Sequence, residues 1–515
     1  MRFFVGWGGF RRLEWNEQFA LGTLSVKAPD PPEPNGTKPT DEPGVTLLQY
    51  ECGQVDHMTI PVPRKTIRSA GRALLLTSGL IALALPLAAA PVDAQGPTAA
   101  AVTMPECAWG SKYGVTGANA YWPDSAATYW STVYPVTEDL EITISGVFPD
   151  ARYASFTVYD DKPTWFSRNG ARSSLPDHLI VPDAGSVNPW QTVRAPGGRF
   201  TLTLSPDVAA GQPNRLPLSR EDAVPGAKAS VIFRVYLPTG GDSTVVLPTV
   251  TLTQGGVSKT LPTCPPAPPP TPSATPPTPT PPPTTTPPAA PPAAAVEGAG
   301  TSDSNGHPDG GGPGRPPESG AKIFTRTSEV ENLAPNPDNA YLGTWLVPPG
   351  PDQVVVVRGR APHAVRGTHP VSWPRRRADV RYWSLCTNLG GQYKPVVINR
   401  FPEGPASYGC RYNDETRLDR YGYYTFVLGT EGQRAAIEAI RTATFVPFSV
   451  SYPTAPHMVL LRHLLPVEDF PYAVQNVPMN SSAETAAAVM GPYYPLVTVC
   501  SLATLTAEGP HGCTA

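Results

Sequence analysis

Four arginines are the residues of this sequence best suited to binding chemistry. They share apolar, strand-like surroundings: Arg152 in RYASFTVYD (152–160), Arg234 in IFRVYLP (232–238), Arg381 in RYWSLCTN (381–388) and Arg462 in LLRHLLP (460–466). A guanidinium is a planar, permanently charged donor that suits carboxylates, phosphates and sugars. All four are therefore candidate binding residues.

The same arginines have a structural interpretation. In an extended strand Arg152 shares a face with Phe156 and Val158, and an unpaired charge buried among them would be costly. Asp124 and Asp338 belong to another repeated motif and are the candidate partners. The arginines therefore serve either as an Arg–Asp clasp between strands, which is the commoner outcome, or as an anion- or sugar-binding site.

A second cationic group lies in residues 362–379, which interrupt the second half of the chain. Its members are His363, Arg366, His369, Trp373, Arg375, Arg376 and Arg377. A loop of this length inside a compact domain is often functional. Its charge would suit acidic envelope polymers or phosphate groups, and Trp373 could stack on a sugar. A solvated, variable loop is the alternative.

The usual catalytic signatures are absent from the sequence. There is no G-x-S-x-G, no H-E-x-x-H and no G-x-x-x-x-G-K-[ST], and no C-x-x-C pair suggests zinc. His178, His457 and His463 have no visible nucleophile as a partner. The net charge of the chain is -3, and this near-neutral charge does not indicate the basic surface that nucleic-acid binding requires. We expect no catalytic residues, no cofactor, no metal and no nucleic-acid partner.

The two halves of the chain match in the order and spacing of their motifs. PDSAATYW, DLEITISGVFP and RYASFTVYD in the first correspond to PDNAYLGTW, DQVVVVRGRAP and RYWSLCTN in the second. Arg152 and Arg234 are 234 − 152 = 82 residues apart, and Arg381 and Arg462 are 462 − 381 = 81 apart. We infer that one domain type occurs twice.

Short alternating runs separated by turn residues indicate a mainly β protein. We predict two related antiparallel domains of sandwich or jelly-roll type, at 105–264 and 325–515. The second contains at least one helix, because Thr430 and Gln433 are spaced as a capping box. Residues 265–324 are rich in Pro, Thr and Gly, and this composition predicts a disordered, semi-rigid linker.

Residues 58–95 have the pattern of a signal peptide. Four basic residues, Arg64, Lys65, Arg68 and Arg72, precede an apolar run and small residues suited to cleavage. Residues 1–57 upstream are either a non-structural extension or the product of a start assigned too early. The alternative is an uncleaved N-terminal anchor, which would be the chain's one contact with a membrane. Either outcome predicts a secreted or cell-envelope location.

Six of the seven cysteines remain if the leader is removed. An even number in an exported protein favours disulfides, although fifteen pairings are possible. We favour Cys107–Cys264, because these residues bracket the first domain, with Cys386–Cys410 and Cys500–Cys513 closing short loops in the second. Free buried thiols are the alternative.

Four runs carry a resemblance to a known group of proteins. ARYASFTVYDD (151–161), LIVPDAGSVNPW (179–190), FRVYLP (233–238) and VRYWSLCTN (380–388) resemble uncharacterised secreted bacterial proteins of domain-of-unknown-function type. The resemblance implies an envelope location and a β-rich fold, and it brings no catalytic residue that can be transferred.

These observations predict a secreted or cell-envelope protein. We expect a non-catalytic binding or structural module whose partner is a cell-wall glycan, another polymer or an envelope protein. An extracellular hydrolase with an unrecognised site in one β-domain is the alternative. The ligand and the oligomeric state stay open.

Overall fold

The computed structural model describes residues 103–192, 198–265, 320–326 and 334–513. The predictions for residues 1–57, for the leader at 58–95 and for most of the linker at 265–324 lie outside these ranges.

Residues 103–192 and 198–265 contain twelve strands. They are β1 (Ser111–Gly114), β2 (Ala127–Pro135), β3 (Leu140–Val147), β4 (Ala151–Tyr159), β5 (Ser167–Arg168), β6 (Ala171–Arg172), β7 (Ser174–Pro176), β8 (Arg199–Ser205), β9 (Arg215–Pro217), β10 (Lys228–Pro238), β11 (Thr249–Gln254) and β12 (Val257–Leu261).

Ten of these strands form the first sandwich. One sheet has the order β1-β2-β10-β4-β7 and the other the order β12-β11-β3-β8-β9. The alternation of LEITISGV explains the packing of β3, because Leu140, Ile142 and Ile144 are fully buried while the residues between them are half-buried. They pack in one core with Phe156 and Phe233 of the opposite sheet.

Residues 320–326 and 334–513 contain ten strands and three α-helices. The strands are β13 (Asn339–Leu346), β14 (Gln353–Arg360), β15 (Val380–Leu389), β16 (Ile398–Asn399), β17 (Ser407–Tyr408), β18 (Cys410–Tyr412), β19 (Tyr423–Gly429), β20 (Thr444–Pro447), β21 (His457–Pro466) and β22 (Leu496–Ser501). The helices are α1 (Arg434–Glu438), α2 (Ala483–Met490) and α3 (Leu502–Glu508).

The second sandwich repeats the topology of the first. Its sheets have the orders β13-β21-β15-β18 and β20-β19-β14-β22, which match β2-β10-β4-β7 and β9-β8-β3-β11 strand for strand. The β8–β9 pair is parallel, and so is its counterpart β19–β20. The prediction of a mainly β protein with two related sandwiches is confirmed.

The register of the central strands is also the same in both halves. Arg234 of β10 lies opposite Ser155 of β4, and Arg462 of β21 lies opposite Ser384 of β15. Arg152 and Arg381 stand three residues before these serines in equivalent strands. The four arginines of the sequence motifs are therefore two pairs of equivalent positions.

Two local predictions are confirmed as well. Thr430 and Gln433 form the expected capping box, at the short 3-10 turn (Glu431–Gln433) that leads into α1. The three disulfides of the structure are Cys107–Cys264, Cys386–Cys410 and Cys500–Cys513. Within the described ranges, no helix is long and apolar enough to cross a membrane.

Candidate functional site

The two sandwiches meet along the outer faces of their arginine-bearing sheets. Strand β4 is buried along its whole length, and β15 along all but its last residue. Each strand packs on its own core with one face and on the other sandwich with the opposite face. Tyr153 and Tyr236 of the first sandwich cluster there with Tyr382 and Leu464 of the second. The rings of Tyr236 and Tyr382 have centroids 5.3 Å apart.

Arg152 and Arg381 are fully buried and form a clasp across this contact. Arg381 donates to Asp177 of the first sandwich at 2.6 Å and to the Arg152 carbonyl at 3.0 Å. Arg152 pairs with Asp414 of the second sandwich and donates to Asn413 at 3.0 Å. For Arg152 and Arg381, the candidate partners Asp124 and Asp338 are thus corrected to Asp414 and Asp177, whereas Asp124 lies beside Arg462. Asp177 and Asp414 lie just beyond β7 and β18, and each belongs to the sandwich opposite its arginine.

Arg462 lies in a buried polar network on the outer face of the arginine-bearing sheet of the second sandwich. It donates to the Cys386 sulfur at 2.6 Å and to the Trp122 carbonyl at 2.7 Å. Asp124 lies 3.8 Å from its guanidinium and also accepts hydrogen bonds from Tyr382 and Ser384. The positive charge of Arg462 therefore has a nearby carboxylate.

Arg234 occupies the equivalent position in the first sheet, but its acceptors are neutral. It donates to Thr157 at 2.8 Å, to the Tyr159 hydroxyl at 2.6 Å and to the Ala334 carbonyl at 3.1 Å. Its guanidinium lies 5.7 Å from the ring centre of Tyr129. Arg462 has the matching contact at 5.6 Å with Tyr341.

A cavity of about 460 Å³ lies over this part of the first sheet, and we call it the Arg234 groove. Its floor consists of outward-facing residues of β2 and β10: Tyr129, Ser131, Val133, Lys228, Ser230, Ile232, Arg234 and Tyr236. Tyr113, Tyr121, Tyr159, Asp160 and Asp161 form its sides, and Trp122, Asn336, Tyr341 and Arg462 border its inner end. The alternate positions of a strand face one side, so the even-numbered residues of β10 together present their side chains to this cavity.

The equivalent surface of the second sandwich is filled by Trp122. Its indole is 4% exposed and packs with Tyr341, Met458 and Leu460. The backbone N–H of Trp122 donates to the Lys394 carbonyl at 2.7 Å, which fixes the segment in place. The residue at the matching place before the second Pro-Asp motif is the smaller Asn336. One groove of the pair is therefore closed and the other is open.

The aromatic residues near the start of the first sandwich have three different roles. Trp109 and Trp130 belong to the core. Tyr113, Tyr121 and Tyr129 line the Arg234 groove, and Trp122 fills its counterpart. Sequence reasoning did not identify Ser131, Ser230 and Ile232, although their spacing of two along β2 and β10 was a usable signal.

The segment 362–379 packs against the first sandwich. The Gly367 carbonyl accepts from Arg152 at 2.7 Å, and Thr368 contacts Thr239 at 2.8 Å. The His369 ring nitrogen lies 2.9 Å from Asp150. This segment thereby holds the two sandwiches together.

The cationic residues of this segment lie at the surface, whereas its tryptophan is buried. Trp373 is only 8% exposed and lies beside the Arg381 guanidinium, so the expectation that it stacks on a sugar is corrected. Arg375, Arg376 and Arg377 are exposed and share a shallow surface depression with Glu468 and Asp469.

Two histidines of β21 are buried and neutral. Burial lowers the pKa of His457 to about 4 and that of His463 to about 3. His457 accepts from the Ser449 N–H at 3.0 Å, and His463 accepts from the Val474 N–H at 3.3 Å. Both side chains therefore have packing and backbone-bonding roles.

Within the described residues, one group has the spacing of a metal site: Asp124, Cys386 and Cys410. The two sulfurs are joined in a disulfide. They therefore offer no thiolate, which is the form of cysteine that binds metals.

Comparisons of the chain with known proteins found distant structural similarities. No family model matches it, and no curated protein does. A solved structure described as an uncharacterised protein of Burkholderia cenocepacia is similar over 74% of this chain and 78% of its own, with 10% identity and a TM-score of 0.38. A protein of Vibrio parahaemolyticus is similar over 74% and 90%, with 10% identity and a TM-score of 0.34.

Proposed function

We propose that this chain is an exported, non-catalytic binding protein whose Arg234 groove holds a segment of a glycan. The observation that carries the proposal is the difference between the two equivalent surfaces. Trp122 fills one of them, while the other stays open beneath a set of tyrosines.

The chemistry of the groove supports a sugar ligand. Tyrosine rings offer flat apolar faces together with hydroxyl groups, and Ser131 and Ser230 add hydroxyls on the floor. Such a mixture of aromatic surface and a few placed polar groups is typical of small-molecule sites, and so is a volume of about 460 Å³. No histidine borders the described part of the groove, and Asp160 is held by Arg220. We therefore favour binding over hydrolysis.

Export is supported by two independent features. Three disulfides are typical of proteins outside the cytoplasm. The pattern of residues 58–95 predicts a leader for secretion. We propose that the glycan belongs to the cell wall or to another envelope polymer.

The proposal is tested by screening the purified full-length chain against a glycan array and measuring the affinity of each hit by calorimetry. Ser230→Trp fills the groove much as Trp122 fills its counterpart, and we expect it to abolish binding. Tyr121→Ala removes a side chain that is 54% exposed at the groove and should weaken binding about 3- to 10-fold.

Tyr421→Ala is the matched control. Tyr421 is exposed to a similar extent, 41%, and does not border the groove. Its loss should leave the affinity unchanged. Glycan binding that survives Ser230→Trp would place the ligand elsewhere and contradict the proposal.

A further inference from the structure

Arg234 carries a buried charge with no anionic partner among the described residues. Its side chain is 2% exposed. Arg152, Arg381 and Arg462 each have a carboxylate nearby, whereas the recorded acceptors of Arg234 are a hydroxyl, a phenol and a carbonyl. A guanidinium has five N–H donors, so these three bonds leave two. A buried cation in this state is costly unless something supplies the counter-charge.

The pseudo-symmetry of the molecule identifies the carboxylate that could have compensated Arg234. Asp338 is the counterpart of Asp124, the residue that lies beside Arg462. Asp338 instead accepts from the Tyr153 hydroxyl at 2.6 Å. Burial raises the pKa of Asp338, which favours its neutral form. Within the described part of the first sandwich, Asp338 thus does not give Arg234 the counter-charge that Asp124 gives Arg462.

The other charges at the groove do not supply it. Asp160 is paired with Arg220. Asp161 and Lys228 are exposed at the rim, where water screens both. Among the residues that the structure describes, the net demand at the floor of the groove is therefore for one negative charge.

We propose that the ligand of the Arg234 groove carries a carboxylate and that Arg234 binds it. The ligand class is then an acidic saccharide of the uronic-acid type. This inference rests on the proposed function, and it adds the charge of the ligand. A carboxylate fits better than a phosphate monoester because it brings one negative charge to one guanidinium, whereas the monoester brings about 1.5 to 2 negative charges near pH 7.

The test compares acidic oligosaccharides with neutral versions of the same sugars. The full-length chain is titrated with oligogalacturonates and glucuronate-containing oligomers, and then with their carboxyl-reduced counterparts. Inorganic phosphate and acetate are added as competitors. A charge-assisted hydrogen bond should make the acidic form bind about 10- to 100-fold more tightly.

Three variants assign the preference to Arg234. Arg234→Gln removes the charge and should erase the preference for the acidic form. Ile232→Glu places a carboxylate two residues away on the same strand face, so it should compete with the ligand for Arg234. Lys259→Gln removes an exposed cation of β12 that does not border the groove, and it should leave the preference unchanged within about 3-fold, because exposed charges contribute little. Thermal unfolding shows whether each variant is folded. If Arg234→Gln does not fold, Ile232→Glu still tests the role of Arg234.

The outcomes separate this inference from the proposed function. Equal binding of acidic and neutral sugars, with both blocked by Ser230→Trp, would overturn the carboxylate and leave the groove as a glycan site. Competition by phosphate as strong as that by the acidic sugar would overturn the carboxylate in favour of a phosphorylated ligand. Binding of neither sugar form would overturn the glycan site itself.

Discussion

The four arginines of the duplicated fold fall into two structural groups. Arg152 and Arg381 are fully buried, and each reaches a carboxylate of the opposite sandwich. Their charges are satisfied inside the protein, so they hold the two sandwiches together. Arg234 and Arg462 lie at equivalent positions on the sheet faces. Among the described residues, a carboxylate lies beside Arg462 but not beside Arg234. Whether an arginine of this set is open to a ligand's charge therefore depends, in our proposal, on whether the protein itself supplies the counter-charge.

Replacing Arg381 with methionine should destabilise the protein strongly. Asp177 would stay buried without its cation, and breaking a buried pair in this way costs about 3–5 kcal/mol. Urea denaturation followed by tryptophan fluorescence measures the loss. Arg375→Met is the control, since Arg375 is exposed and its loss should change stability by less than about 0.5 kcal/mol.

The double variant Arg381→Met/Asp177→Asn should recover part of that loss. It removes both charges together, so no uncompensated ion stays in the interface. A double variant as unstable as the sum of its two single variants would contradict the idea that these residues act as a pair.

At this scale the sequence identified the four arginines and one of their partners, Asp124, which lies beside Arg462. Residue type and spacing were enough to select Arg152, Arg234, Arg381 and Arg462. Asp177 and Asp414 were missed because each lies in the other half of the chain from its arginine and, unlike Asp124, outside the repeated motifs. Pairing across an interface depends on how two domains dock, and no local pattern records that. The same limit applies to Trp373, whose burial comes from packing on the first sandwich.

At the scale of strands, β4 and β15 are buried on both faces, whereas β3 is buried on one. The alternation in β3 predicts one buried face and one open face, as the structure has it. The runs at β4 and β15 have polar residues on alternate positions as well, yet both faces are covered. The segment that carries Trp122 covers part of the arginine-bearing sheet of the second sandwich. The equivalent segment, which carries Asn336, does not fill the matching surface of the first sandwich, and the Arg234 groove is therefore open.

The order of strands and helices could be predicted from the sequence more completely than the Arg234 groove. Strand runs, turn residues and the Thr430 capping box were sufficient for the sandwiches and α1. Helices α2 and α3 were not predicted, although each has a serine N-cap. The hydroxyl oxygens of Ser482 and Ser501 accept hydrogen bonds from the backbone N–H groups of Thr485 and Thr504. Both helices are short, so their periodicity is weak. The groove could not be foreseen, because it requires the two sandwiches to be docked.

The disulfides should differ in their contribution to stability according to the loops that they close. Cys107–Cys264 spans 157 residues, and Cys500–Cys513 spans 13. Loop entropy in the unfolded chain grows with the logarithm of this length, which predicts a difference of about 2 kcal/mol between the two. Replacing each pair with serines and comparing the free energies of unfolding in urea measures it. Equal losses would mean that local packing, not the length of the closed loop, determines the effect.

At the scale of the whole molecule, the clasp and the segment 362–379 join the sandwiches into one body. Arg152 and Arg381 cross the contact in opposite directions, and Gly367, Thr368 and His369 reach the first sandwich from the second. The two halves should therefore unfold together. Changes on one side of the interface then affect the stability of the entire protein, including changes in the protonation of β21.

Stability should fall as the pH drops from about 6.5 toward 4, because His457 and His463 are buried and neutral. Their folded-state pKa values, about 4 and about 3, lie below the ordinary value of 6.5, so the unfolded chain binds protons first. Each histidine contributes a slope of about 1.4 kcal/mol per pH unit in this window and nothing above it.

Urea denaturation between pH 7 and 4.5 tests this effect, and substitution isolates it from the carboxylates. His463→Gln should flatten the pH dependence relative to the natural chain, since glutamine cannot take up a proton. His511→Gln is the control, because His511 is exposed and its loss should leave the slope unchanged. A stability that stays level across this window, or a slope that His463→Gln does not reduce, would mean that these histidines become protonated without opening the fold.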